Sequence, residues 1–120
     1  MNKTLKPAIL VDLKKPLIRI HKDTLYSIGN PEYILLLVNP GECSLAVLPS
    51  DRTDTKAHYV FKNSFNNKKS VELYSTSLIK NLRNLCNDWV DNKAYRIYGE
   101  NVPSQNVIRF NMLESFSINE

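Results

Sequence analysis

Long apolar runs, glycine, cysteine and histidine are all scarce in this chain, and each scarcity removes a class of function. The longest apolar stretch is Tyr33–Val38, far below the roughly 20 residues that cross a bilayer as a helix. The opening residues, MNKTLKPAILVDLKKP, place a lysine before a short apolar run, but Asp12 and two lysines interrupt it and no small-residue cleavage site follows. A cytoplasmic protein is therefore expected. The three glycines, Gly29, Gly41 and Gly99, stand far apart. A phosphate-cradling loop needs several together so that its backbone can approach the ligand, so neither a Walker-type nor a dinucleotide-binding loop can be built. The Gly-x-Ser-x-Gly turn that exposes a nucleophilic serine does not occur.

Cys43 and Cys86 are the two cysteines, and neither has a second Cys or a His at metal-ligand spacing. Both are expected as free thiols, with Cys86 packed as a small apolar side chain, and no redox role follows from their positions. His21 and His58 have no local carboxylate or thiol of the kind a triad needs. Asp51 and Asp54 flank Arg52 without the glycine-centred pattern of a calcium loop, so they read as solvated charges. Nothing calls for a cofactor or metal, and a non-enzymatic role is expected.

What the chain does have is charge placed unevenly. Up to Lys22 there are six basic residues against one acid; the remainder carries ten basic and eleven acidic residues. The excess is thus N-terminal, which fits an anionic partner or an exposed, solvated edge. Hydrophobic residues make up 42% of the 120 positions, enough for one core without disulfide staples, and one domain over 1–120 is expected.

Ala8–Val11, lying between Pro7 and Pro16, reads as an edge strand or extended arm within 1–16, because proline cannot donate to a ladder. Leu17–His21 alternates as a half-buried strand. Asp23 is the expected cap of a short helix whose Leu25 and Ile28 share a face, and Gly29 ends it in a left-handed conformation. The continuous run Tyr33–Val38 predicts a strand buried on both faces. Asn39-Pro40-Gly41-Glu42 predicts a type II turn with positive φ on Gly41, returning into Ser44–Leu48. His58–Phe61 is a further short strand, and Lys62–Ser70 a polar loop. After a strand at Val71–Tyr74, Ser75 or Ser77 caps the main helix. Leu78, Leu82, Leu85 and Trp89 recur on one stripe, predicting about four turns. Tyr95–Tyr98 and Val107–Met112 make a second hairpin, and 113–120 a flexible tail that Phe116 and Ile118 are placed to dock. Tyr95 and Tyr98 straddle Arg96, which reads as cross-strand packing or as a stacking platform for bases.

The order strand, helix, hairpin thus occurs twice. The expected class is α+β: two strand–helix–hairpin units forming a bent antiparallel sheet or partial barrel with one long and one short helix.

The stretches IRIHKDTLYSIG, NPEYILLLV and SLAVLP within 17–49 resemble the swapped-hairpin unit of AbrB/SpoVT-type proteins, including the MraZ arrangement of two units in one chain. This sequence has His21 where that family usually has proline, and Ile28 where it has the leucine before glycine. The resemblance implies DNA binding through basic residues on the first strand and its flank, which nominates Arg19 and Lys22, with Lys14 and Lys15 just upstream.

The expected function is a nucleic-acid-binding or transcription-regulatory protein contacting phosphates through Lys14, Lys15, Arg19 and Lys22, with Lys68 and Lys69 as a second patch. The alternative is a protein-binding adaptor or inhibitor acting through a hairpin edge or through Phe65 in the Lys62–Ser70 loop. A homodimer is expected if a sheet edge or apolar face is left uncovered.

Overall fold

The computed structural model describes residues 5–60 and 69–118. The strands are β1 (Ala8–Asp12), β2 (Leu17–His21), β3 (Tyr33–Asn39), β4 (Ser44–Ser50), β5 (His58–Tyr59), β6 (Ser70–Tyr74), β7 (Ala94–Val102), β8 (Val107–Asn111) and β9 (Phe116–Ile118), with helices α1 (Lys22–Ser27) and α2 (Thr76–Leu85). They form an antiparallel sheet in the order β5-β3-β4-β8-β7-β1-β2-β6, with β9 added beside β7. The expected α+β class is corrected by this: strands hold 45% of the described residues in a nearly closed, barrel-like sheet, and helices, short 3-10 turns included, 21%. The helices are shorter than expected and the strands more numerous, because segments read as arm and tail pair into the sheet.

β1 is the clearest such segment. It lies between β2 and β7 and is buried at all five positions, so it is neither an edge strand nor an arm. Pro7 and Pro16 fall just outside it, and a proline at the flank takes no donor from the ladder. The tail likewise docks as β9, pairing Phe116 with Arg96 and Ile118 with Ala94. β3 is not buried on both faces: Ile34 is fully buried, whereas Leu37 is 49% exposed. An uninterrupted apolar run cannot by itself distinguish one covered face from two.

The positive φ of the β3–β4 turn sits on Cys43 (52°) rather than Gly41. The Cys43 amide donates to the Pro40 carbonyl at 3.3 Å, and Asn39 Oδ1 accepts from the Glu42 amide. This is a four-residue connection closed by a left-handed residue instead of a type II turn. Gly29 does take the left-handed conformation after α1, at φ 89°.

α2 begins as expected, with the Ser75 hydroxyl accepting from the Leu78 amide. It stops at Leu85, short of Trp89, because Asn87 and Asp88 are poor helix formers. The chain then turns Trp89 into the core, where its ring stacks on Tyr95 at 4.7 Å and its Nε1–H donates to Ser115 Oγ at 2.9 Å.

The strand pairing carries an internal two-fold. Taking β1-β2-α1-β3-β4 as one unit and β5-β6-α2-β7-β8 as the other, each pairing maps onto another when the units are exchanged. The pair β3·β4 maps to β7·β8, and β1·β7 maps to β5·β3, while β2·β6 and β4·β8 map onto themselves. Within the two units only the β1·β2 ladder has no counterpart among the described residues, which leaves the seam between β5 and β6; β9, outside both units, adds a further ladder on β7. The hairpin of each unit therefore packs away from the unit's own first strand, and the core is shared. Ile20 and Leu25 from one unit meet Leu82, Ile97 and Phe110 from the other in a single cluster.

α1 is clipped to β1 by a buried hydroxyl. Thr24 Oγ1 accepts from the Ala8 amide at 2.9 Å and donates to the Ala8 carbonyl at 3.0 Å. Thr24→Val keeps the shape and strands both groups in the interior. It is expected to lower the unfolding free energy by about 1–3 kcal/mol, read as a lower urea midpoint at unchanged slope.

Candidate nucleic-acid interface

Side chains alternate along a strand, so register fixes which residues share a face. Across β6, β2, β1, β7 and β9 the paired residues Glu72, Arg19, Leu10, Arg96 and Phe116 form one row. On one side of that row His21 lies opposite Ser70, and Ala8 opposite Tyr98. Ile9, Val11, Ile18, Ile20 and Ile97 take the other parity and belong to the core cluster. The row therefore faces outward. Leu10 and Ala8 are nonetheless only 5% and 8% exposed, because long side chains on neighbouring strands fold over them. The result is a groove of about 530 Å³ with an apolar floor, walled by Lys6, Arg19, His21, Lys69, Arg96 and Tyr98.

Four of the lining residues, Lys6, Arg19, Lys69 and Arg96, are cationic, against one carboxylate, Asp23. Arg19 is paired through Nε with Glu72 at 2.8 Å, whereas no ion pair to Arg96 occurs among the described residues. Lys6 holds its ammonium 4.1 Å from the centre of the Tyr98 ring, and its amide donates to Asp23 Oδ2. The Lys69 carbonyl accepts from the Lys22 amide at 2.9 Å, which brings the start of α1 to the rim. Tyr98 and Phe116 pack against one another with ring centres 5.8 Å apart and remain 41% and 44% exposed. Enough aromatic surface is left to take a planar group.

His21, not Asp23, caps α1: its Nδ1 accepts from the Asp23 amide at 3.1 Å. That bond requires an unprotonated Nδ1. Burial lowers the pKa of His21, helped by Lys22, Arg96 and Lys69, and outweighs the Asp23 carboxylate acting in the opposite direction. The neutral ring then carries its proton on Nε2, leaving a donor and no acceptor on that nitrogen.

Of the residues nominated from sequence, Arg19 and Lys69 line the groove and Lys22 stands at its edge. Lys14 and Lys15 do not join them. Both lie exposed in the β1–β2 turn, at the far end of the strands, where Asp12 Oδ1 accepts from their amides at 2.9 and 3.1 Å. The N-terminal surplus of charge is thus split between two places. Lys68 and Phe65 lie outside the described residues.

Lys6 has no signal in the sequence, and Arg96 and Tyr98 enter only through the stacking-platform reading of 95–98, although the alternation of Ala94–Tyr98 already puts Arg96 opposite Tyr95 and Ile97. Tyr95 and Tyr98 do not flank Arg96 on one face. Tyr95 points inward, its hydroxyl accepting from the Val90 amide at 2.7 Å, and only Tyr98 shares the outer face.

No family model, curated protein or solved structure matches the chain. Among the described residues no helix is long and apolar enough to cross a membrane.

Proposed function

We propose that this is a non-enzymatic, cytoplasmic nucleic-acid-binding protein that holds a single strand across the outer face of β6, β2, β1, β7 and β9. The observation that carries the reading is the row in which Arg19 and Arg96 stand on either side of Leu10, with Lys6 and Lys69 beside them and Tyr98 and Phe116 exposed. Cations at that spacing serve phosphates. Exposed rings on the same face serve unpaired bases, which a duplex keeps stacked inside.

Binding to a labelled single-stranded oligonucleotide should weaken steeply with salt, by a log–log slope of about −0.7 per phosphate contact, so about −2 for three contacts. Duplex of the same sequence should bind more weakly at every salt concentration. A salt-independent signal, or none with either form, would remove the reading.

A protein-binding role has one observation of its own: among the described residues β6 pairs with β2 alone, which leaves a strand edge open to an extended peptide. Its discriminating result is partner capture that withstands nuclease treatment, in a protein that binds no oligonucleotide.

A further inference from the structure

Cys43 and Cys86 are far apart in sequence and belong to different halves of the two-fold, yet the fold brings them together. Cys43 closes the β3–β4 turn with a left-handed backbone, which directs its side chain at the end of α2. Its Sγ–H donates to the Leu85 carbonyl at 3.8 Å. Cys86 is the next residue, the C-cap of α2, so the Cys43 sulfur lies against the peptide unit that joins Leu85 to Cys86. Both backbones are fixed. The Cys43 carbonyl accepts from the Met112 amide at 3.0 Å, and the Cys86 amide and carbonyl bond Leu82 and Trp89 at 3.0 Å each. Both residues are free thiols.

We propose that this pair is an oxidation site, at which a peroxide converts Cys43 to a sulfenic acid that Cys86 resolves as an intramolecular disulfide. In the first step the Cys43 sulfur attacks a peroxide oxygen. The O–O bond breaks, and the leaving hydroxide departs as water with the thiol proton. In the second step the Cys86 sulfur attacks the Cys43 sulfur. The S–O bond breaks, and hydroxide leaves as water with the Cys86 proton. Two thiols lose two hydrogens and two electrons; hydrogen peroxide becomes two waters.

The order of events follows from exposure. Cys43 is half-buried and open to a small oxidant, whereas Cys86 is buried. Burial and the neighbouring Cys43 thiol push the Cys86 thiol up to about 12, so it reacts second and only with a sulfur already held against it. The bond formed would tie the hairpin turn of one half to the helix of the other, closing a long loop.

The test uses the full chain under hydrogen peroxide. The expected product has lost two hydrogens by intact mass, gives a non-reducing peptide map joining the Cys43 and Cys86 peptides, and melts higher by about 10 °C or more, all reversed by dithiothreitol. C86S is expected to stop at a Cys43 sulfenic acid that dimedone traps. Three results would overturn the proposal: oxygen added to Cys43 while Cys86 still alkylates after unfolding, dimers linked through Cys43, or two unreacted thiols. The wild-type map alone decides if C86S does not fold.

Discussion

A chain carrying valine at Gly99 is expected to lose a large share of its stability. β7 pairs with β1 up to Tyr98 and with β8 from Gly99 onward, so Gly99 sits where the strand passes from one ladder to the other. By parity with Tyr95 and Ile97 it faces the barrel interior. A Cβ there would lie 2.6 Å from Ile108 Cγ2 and 2.6 Å from Phe110 Cε1, and both neighbours are fully buried with no room to retreat. Phe110 in effect occupies the space glycine leaves, which is a recurrent use of glycine at a barrel corner. Gly99→Ala should cost about 1–3 kcal/mol through overpacking alone, and Gly99→Val about 3 kcal/mol or more. Against a typical total of roughly 5–15 kcal/mol, the valine variant should have a much lower urea midpoint or fail to fold. A midpoint equal to wild type would mean that the corner is not packed as described.

The second large effect concerns binding. Arg96→Glu is expected to weaken oligonucleotide affinity by one to two orders of magnitude, corresponding to about 1.5–3 kcal/mol for a lost charge-assisted contact. The salt slope should fall by about 0.7 at the same time. Lys15→Glu makes the same change of charge in the β1–β2 turn and should alter affinity much less. Anisotropy titrations of the two variants at one salt concentration separate a groove from an N-terminal basic arm, since an arm would reverse their order. Arg96 is partly exposed, so its urea midpoint should stay near wild type, and loss of binding cannot then be put down to unfolding.

Local features were legible where one residue's chemistry decides the outcome. Gly29 takes the left-handed stop after α1, Ser75 caps α2, and the alternation of Leu17–His21 gives the strand that carries Arg19. The turn at Asn39–Ser44 was legible as a turn but not in its type, because the left-handed position depends on loop length and strand register, which pass it to Cys43. The class was misread for a related reason. A stripe through Leu78, Leu82, Leu85 and Trp89 fits a longer helix until the Trp89–Tyr95 stack draws Trp89 into the barrel. Short segments such as Ala8–Asp12 show their place only once their partners are known.

The site was half legible. Charge counting along the chain found Arg19 and Lys69 but put them in separate patches and grouped Lys14 and Lys15 with Arg19, because closeness in sequence stood in for closeness in space. The groove instead depends on β7 arriving beside β1, a pairing between residues 8–12 and 94–98 that no local pattern reveals. The same holds for Cys43 and Cys86, whose meeting requires the hairpin of one half to pack against the helix of the other.

The central claim is that the nucleic-acid contact lies on the outward row Arg19–Leu10–Arg96 and its flanks. Backbone amide shifts recorded while a short single-stranded oligonucleotide is titrated into the isotope-labelled protein test it most directly. Perturbations should gather on Leu10, Arg19, His21, Lys69, Arg96 and Tyr98 and leave the Lys14–Lys15 turn and the β3–β4 face unmoved. Shifts confined to that turn or that face, or no shifts at saturating oligonucleotide, would contradict it.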